Sequence, residues 1–335
     1  MKKLLFISLA ALAVLVGCSK NNDDDNINVL DKITDPVFNA YALFCMDNEN
    51  EAYDPESDET ETFPKWDANG DGILSKAEAA AVQAVGLFKG YDDAKVKNAA
   101  GIEYFTGAKV IDFDGNELTT LNVSGLAKLE FLYCYENDLT TLNVSDCAQL
   151  EGLYCSGNDL TTLNVSDCAQ LEGLYCSGND LTTLNVSGCA KLVKLDCFHN
   201  DLTTLNVSGC AKLVKLNCYD NDLSTLDVSD CAQLKYLYCD NNELTTLNVS
   251  GCAKLEVLYC LENDLTTLDV SSLTALKEIA CGNGEANPMT VTVAAGTVLG
   301  TDLDVYAYDG GTMLISVENF GAPATYCVTV VEAGS

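Results

Sequence analysis

Basic residues are scarce in this chain: 18 Lys plus Arg stand against 50 Asp plus Glu in 335 residues, a formal net charge of −32. Counterion release from nucleic acid or from an anionic membrane surface needs a basic patch, and none can be assembled here, so nucleic acid is excluded as a partner. Histidine is scarcer still. With one His in the chain, a His-based triad or a His-rich zinc site would depend on a single residue, and most hydrolase templates fall away. Disorder throughout is excluded in turn, because 48% of the residues are hydrophobic and can bury a substantial core. What is abundant is cysteine, with 17 to account for.

Lys2 and Lys3 precede an apolar run from Leu4 to Val14, too short to span a bilayer but of the length of a signal-peptide core. The run ends in Leu15-Val16-Gly17-Cys18, which resembles a bacterial lipobox. That resemblance implies that residues 1–18 form a lipoprotein signal and that Cys18 is acylated as the mature N-terminus, with several acyl chains holding the protein to a membrane. Residues 19–34 open with Ser19-Lys20-Asn21-Asn22-Asp23-Asp24-Asp25, an acidic tether that cannot pack. A Lys and an acidic cluster directly after a lipidated Cys resemble an export tag for the outer leaflet. The expectation is a lipid-anchored, surface-exposed outer-membrane protein, with a plain linker and periplasmic retention as the alternative.

A period of 21 residues organises the middle of the chain. The unit Leu181 to Asp201 recurs from Leu118, Leu139, Leu160, Leu202, Leu223, Leu244 and Leu265, and residues 139–159 and 160–180 are identical. A degenerate unit ending in Val110 to Asn116 leads into the first, giving one worn and eight clear coils over residues 97–285. Each unit carries L-x-x-L-x-C-x-x-N-x-L-x-x-L, as in Leu192, Leu195, Cys197, Asn200, Leu202 and Leu205. This pattern, the N-V-S that follows it and the period resemble the internalin-like bacterial leucine-rich-repeat proteins, in particular those with a cysteine ladder. The resemblance implies an α/β repeat solenoid, a curved slab with a parallel β-sheet on its concave face. One coil cannot bury its Leu face alone, so coils must stack, at about 4.8 Å. The column Asn137, Asn158, Asn179, Asn200, Asn221, Asn242 and Asn263 sits where the chain leaves each strand and can satisfy backbone groups of neighbouring coils.

Two cysteine columns run along the coils, Cys134 to Cys281 and Cys147 to Cys252, both alternating with core Leu or Ala. They read as small buried hydrophobes. A disulfide needs Cβ atoms about 3.8 Å apart against about 4.8 Å between coils, which favours free thiols, although export would permit oxidation. Zinc spacing is absent.

Residues 35–96 read as an N-terminal cap. Asp67 to Glu78 matches the calcium loop D-x-N-x-D-G-x5-E at every required position. Asp67, Asn69 and Asp71 would bind by side chain, Ile73 by its carbonyl, Ser75 through water and Glu78 with both oxygens, while Gly72 permits the turn. Pro64 breaks any long entering helix, so the ion reads as a structural Ca2+ staple and not a sensor. Pro36 to Met46 reads as a capped helix, Ser75 to Leu87 as another, and residues 47–62 as a solvated acidic loop. Residues 286–335 switch to period two and read as a β cap that closes the last coil.

On a leucine-rich-repeat strand, the residue between the last Leu and the Cys faces outward. That column runs Tyr133, Tyr154, Tyr175, Asp196, Asn217, Tyr238 and Tyr259, with Phe198, His199 and Tyr219 just beyond it and Lys194 and Lys215 just before it. Tyr is a good strand former, so the column can be read as cross-coil stacking alone. It can also be read as a concave binding face, with the break at Asp196 and Asn217 as its most specific patch. The resemblance implies adhesion or ligand capture. The expected function is therefore non-enzymatic recognition of a protein or glycan by a monomer, with an envelope spacer as the alternative; near-identical coils argue against a catalytic site.

Overall fold

A computed structural model describes residues 27–47, 50–54, 59–63, 65–86, 95–282, 289–293, 304–309, 312–314 and 328–332. The lipobox, Cys18 and residues 19–26 of the tether lie outside them; residues 27–34 are not tether but part of the cap, where Val29, Leu30 and Ile33 are buried and Val29 N donates to Leu74 O at 2.7 Å, apolar side chains that the acidic run before them hid. No helix among the described residues is long and apolar enough to cross a membrane.

The repeats form a parallel β-solenoid of about eight turns. In each coil a strand of three residues, or five in the last two, such as Lys194–Asp196, pairs in parallel with its counterparts one period away, Gly173–Tyr175 and Lys215–Asn217, so position stacks on position. These strands make one sheet of 12, from Ala84–Gly86 in the cap to Asp304–Asp309 and Thr312–Leu314 at the far end. Every pairing within it is parallel save the last, between Asp304–Asp309 and Thr312–Leu314. The opposite edge of most coils carries a second short strand, such as Thr183–Asn185, paired only locally; the coil 160–180 lacks it. The Leu and Cys columns between the two edges are buried, save the partly buried Leu247, and form one continuous core.

The asparagine column links the coils as its position implies. Asn179 Oδ1 accepts from Leu160 N at 3.0 Å, and its Nδ2 donates to the carbonyls of Cys155 and Cys176, both at 3.1 Å. One amide thus bonds groups in two coils: it gives the buried Leu160 N its acceptor and shares each cysteine carbonyl with the Asn of a neighbouring repeat. In the degenerate coil, Phe113 fills the cysteine position and Asn116 does the same work, accepting from Val96 N at 2.9 Å and donating to Phe113 O at 2.9 Å. The residue before each Asn turns left-handed: Gly157, Gly178, His199, Asp220, Asn241 and Glu262 all have positive φ. His199 is therefore first a turn residue, at a place where its counterparts in the column are Gly, Asp, Asn or Glu.

Both cysteine columns hold free, buried thiols. The second column is also polar in use: Cys147 Sγ donates to Val123 O at 3.2 Å and Cys252 Sγ to Val228 O at 3.1 Å, each reaching the preceding coil. Desolvation pushes these thiols up, Cys147 and Cys252 to about 11 and Cys168 and Cys231 to about 12.

The cap differs from the sequence reading in two elements. Helix α1, Pro36–Asp47, is as expected, with Asp35 Oδ1 accepting from Val37 N and Phe38 N, while Asp35 Oδ2 accepts from Lys97 N and fixes the cap to the first coil. Helix α2, however, spans only Lys76–Ala79, not Ser75 to Leu87. The chain leaves it to place Ala84–Gly86, with Val85 fully buried, as the edge strand of the large sheet; covering that edge outweighs extending a short, marginal helix. The acidic segment expected to be a loop contains an antiparallel pair, Asn50–Asp54 with Glu59–Phe63, since alternation of Thr and Glu at period two suits a strand as well as a coil. At the far end, Met289–Val293 adds in parallel to Thr267–Asp269 and Asp304–Asp309 to Glu278–Gly282, so the C-terminal strands continue both edges of the solenoid before turning back.

Candidate functional site

The outward column on the main sheet divides into two regions. In the first, Tyr133, Tyr154 and Tyr175 stack face to face, with ring centroids 4.6 Å apart in both steps. The stack is made by glycine: a Cβ on Gly152 would come within 2.9 Å of the Tyr154 ring and one on Gly173 within 3.0 Å of the Tyr175 ring, so each ring lies over its own strand. Tyr133 is buried, at 4% exposure, which removes it from any docking surface and makes it a structural member of the stack; Tyr154 and Tyr175 are half-buried. Stacked aromatics one coil apart supply the cross-strand stabilisation that β surfaces favour.

In the second region the stack is broken and the surface opens. Lys194 and Lys215 replace the glycines, and Asp196 and Asn217 replace tyrosines. Lys215 Nζ lies 3.8 Å from Asp196 Oδ2 and 5.8 Å from the centroid of Tyr238. Tyr238 and Tyr259 meet edge to face at 5.3 Å, and the Tyr259 hydroxyl donates to Glu278. A groove of about 420 Å³ lies here, lined by Lys215, Asn217, Tyr219, Tyr238, Asp240 and Tyr259. Asp240 was not apparent from the sequence as a site residue. Burial raises its carboxyl to about 6, against the bond it accepts from Leu261 N at 2.9 Å. Its signal was the change from Ser156, Ser177 and Phe198 at the same column position, which marks where the coils stop being copies.

Phe198 and Tyr219 form a second, shorter stack beside the groove, centroids 4.7 Å apart. His199 stands at the turn beyond, with Nδ1 against the Asp220 carboxylate and Nε2 3.3 Å from the Tyr219 hydroxyl. Asp220 in turn accepts from Asn241 Nδ2. The sequence-selected residues Lys194, Asp196, Phe198, His199, Lys215, Tyr219, Tyr238 and Tyr259 thus lie on four columns of adjoining coils, whereas Tyr133, Tyr154 and Tyr175 belong to the closed stack.

The calcium-type loop sits in the cap, away from this face. Asp67, 3% exposed, accepts from Gly70 N at 2.6 Å and Gly72 N at 2.9 Å, while Asn69 and Asp71 accept from Asp71 N and Ile73 N, both at 2.8 Å. Gly70 and Gly72 take positive φ, the conformation such a loop requires. Glu78 closes the loop, accepting from Asn69 N at 3.3 Å, but its carboxylate also completes a capping box with Ser75, whose hydroxyl donates to it at 2.8 Å. Loop amides hold the Asp67 carboxyl below its ordinary range, and Ser75 and Asn69 do so for Glu78 against burial and the nearby Asp67 charge. Among the described residues no three His, Cys, Asp or Glu side chains are gathered closely enough to grip a metal. The donor set nevertheless suits calcium: hard oxygens on an acidic loop, each carboxylate oxygen with a second lone pair beyond its amide bond.

Among solved structures the chain is similar to the functional domain of InlJ from Listeria monocytogenes, which includes a cysteine ladder, with 26% identity, a TM-score of 0.56 and coverage of 84% of this chain and 61% of that one. It is also similar to a leucine-rich-repeat protein of Leptospira interrogans, at 21% identity and a TM-score of 0.50 over 60% of each chain. The chain therefore spans about three-fifths of either neighbour. No family model matches the sequence, and no curated protein does. The fold is that of the leucine-rich-repeat solenoids, whose usual work is recognition and not catalysis.

Proposed function

We propose that this protein is a non-enzymatic recognition module that seats a protein or glycan ligand on the outward face of its main sheet, around the groove at Lys215, Asn217 and Tyr238. The observation that carries the reading is the change along one column from a closed tyrosine stack to an open groove of about 420 Å³ with mixed polar and aromatic walls. Stacking alone would be served by continuing the Tyr-over-Gly arrangement, whose coils at 139–159 and 160–180 are identical; the coils from Leu181 onward abandon it. An envelope spacer remains the second reading for the stacked region, since Tyr133 is buried and contributes to stability. Export, lipidation at Cys18 and surface exposure would place the groove outside the cell, and calcium at Asp67, Asn69, Asp71, Ile73, Ser75 and Glu78 would rigidify the cap that seals the first coil.

The test is a binding screen of the full chain, purified in detergent, against extracellular proteins and glycans at physiological salt with calcium present. Expected is at least one ligand whose retention falls about tenfold on Tyr238→Ser, a change at the partly exposed wall of the groove. Binding that survives Tyr238→Ser but is lost on Tyr154→Ser would move the site to the stack. No binding by a folded chain would favour the spacer.

A further inference from the structure

The Phe198–Tyr219 stack ends where the groove begins. Its ring centroids are 4.7 Å apart and the rings 9° from parallel, close to the coil repeat of about 4.8 Å, so the stack runs along the solenoid. Phe198 therefore covers one face of Tyr219, and the other face is turned to the next coil. That coil brings no ring to the position. It brings Asp240, half-buried, which lines the groove together with Tyr219 and Tyr238. The backbone fixes this neighbourhood: Cys218 N donates to Tyr238 O at 2.8 Å and Asp220 N to Asp240 O at 3.0 Å.

Asp240 is a carboxylate without a counter-ion. Its side chain accepts from Leu261 N at 2.9 Å, and among the described residues no Lys or His pairs with it. The groove's own cation is engaged elsewhere, since Lys215 Nζ lies 3.8 Å from Asp196 Oδ2 and 5.8 Å from the Tyr238 centroid. Burial raises the Asp240 carboxyl to about 6, and the Glu262 charge adds to the rise. A half-buried charge of this kind gains most from a partner of opposite sign.

The surroundings narrow what that partner is. An anion would be repelled by Asp240, by Glu262 and by the net charge of −32. A calcium-like ion wants six or more oxygens, and this end of the groove offers one carboxylate among aromatic rings. An organic cation remains, and the free ring face selects a flat one. A guanidinium can lie on Tyr219 as the third layer of the stack while its N–H fork meets the carboxylate edge-on, whereas an ammonium has no plane to stack. The chain cannot supply this group to itself or to a second copy, because all 18 of its basic residues are Lys.

We propose that this end of the groove seats an arginine side chain of a partner protein, its guanidinium stacked on Tyr219 and paired with Asp240. The inference rests on the recognition reading and names the partner chemistry for the same groove.

The experiment titrates the full chain, purified in detergent, with three Gly/Ser decapeptides that carry one central Arg, Lys or citrulline, followed by ligand-observed NMR. Physiological salt screens the general attraction of an acidic surface for cations. The Arg peptide should bind at least about tenfold tighter than the citrulline peptide, its uncharged isostere, and at least about threefold tighter than the Lys peptide. Asp240→Asn keeps the acceptor for Leu261 N and removes the charge, and should weaken the Arg peptide at least about tenfold; Asp159→Asn, an exposed change in another coil, should stay within about twofold. Tyr219→Leu should cost about fivefold, and Tyr219→Phe, which keeps the ring, less than about twofold. The inference is overturned if the Arg and citrulline peptides bind alike, if Asp240→Asn does no more than Asp159→Asn, or if Tyr219→Leu leaves binding unchanged. A ligand from the wider screen that is lost on Tyr238→Ser yet indifferent to Asp240→Asn would overturn the arginine site and keep the recognition reading; a folded chain that binds nothing would end both.

Discussion

Asn179 shows how much one side chain does in this fold. Replacing it by Ala orphans the buried Leu160 N and removes one of the two donors to each of the Cys155 and Cys176 carbonyls, which keep Asn158 Nδ2 and Asn200 Nδ2, and should destabilise the chain by about 2 kcal/mol, read as a lower midpoint in urea, whereas Asn179→Asp keeps the acceptor and should cost less. Gly152 is as constrained for a different reason. A Cβ there would meet the Phe131 ring at 2.7 Å and the Tyr154 ring at 2.9 Å, so Gly152→Ala should cost about 1 kcal/mol and change the near-UV circular dichroism of the stacked tyrosines. Asp240 carries the pH dependence. Its carboxyl is raised to about 6 in the folded chain, so the folded state favours its protonated form: stability is full below the unfolded value near 4 and falls as pH rises from there through 6. Two units correspond to at most about 3 kcal/mol, and Asp240→Asn, which keeps the acceptor for Leu261 N, should raise Tm at pH 7 and flatten its slope between pH 4 and 6. Residue roles set by period were legible in the sequence: the Asn, Leu and Cys columns lie where the repeat puts them. Burial within a column was not. Tyr133 and Tyr238 are the same residue type at the same position, and only the neighbours Phe131 and Gly152, seen in three dimensions, close one and leave the other at a groove.

At the scale of elements, repetition is what makes this chain readable and its ends are where readability stops. Each coil states its fold eight times over, so the parallel register of Lys194–Asp196 with its neighbours needs no further signal. The cap states its fold once. Its Ala-rich segment after Ser75 has helical propensity to Leu87, yet Ala84–Gly86 is taken by the sheet, because the exposed edge of the first coil must be covered and local propensity is worth only tenths of a kcal/mol per residue. The hairpin Asn50–Asp54 with Glu59–Phe63 was masked by its acidity. The calcium-type loop at Asp67 to Glu78 belongs to this scale as well. Loop amides already occupy Asp67, and Ser75 occupies Glu78, so the loop is shaped before any ion arrives and the ion would add stability by mass action, not by building the turn. Raising calcium from zero in the presence of chelator to about a hundredfold over Kd should stabilise the chain by about 2.7 kcal/mol, and Glu78→Gln should abolish the gain. An identical melt with calcium and with chelator would remove calcium from the account of this cap.

The whole molecule is a one-dimensional stack, in which a coil touches only the coils before and after it, so stability is a sum over neighbours and ends are weaker than the middle. The two ends are not alike. At the N-terminal end Asp35 accepts from Lys97 N and Asn98 N, and Phe38 packs edge to face on Phe113 at 5.4 Å, which ties the cap's helix to the first coil by both backbone bonds and core contacts. At the other end Cys281 lies in Glu278–Gly282, whose next neighbour is Asp304–Asp309, contributed from 22 residues further along the chain and not by another 21-residue unit. The cysteine columns turn this asymmetry into something measurable. Every thiol in them is buried, and burial pushes Cys197 and Cys260 well above the ordinary thiol value, so access is lacking throughout the native stack and alkylation requires opening. A pulse of iodoacetamide at pH 8 in sub-denaturing urea, read cysteine by cysteine by mass spectrometry, therefore maps local opening along the stack. Cys281 and Cys260 should be labelled at least about tenfold faster than Cys176 and Cys197, with Cys134 protected by the cap. Equal rates at all positions would mean that the coils open as one cooperative unit and that the end strands seal the stack as firmly as the repeats themselves. Labelling of Cys134 ahead of Cys281 would place the weak end at the cap instead, and calcium should then slow it.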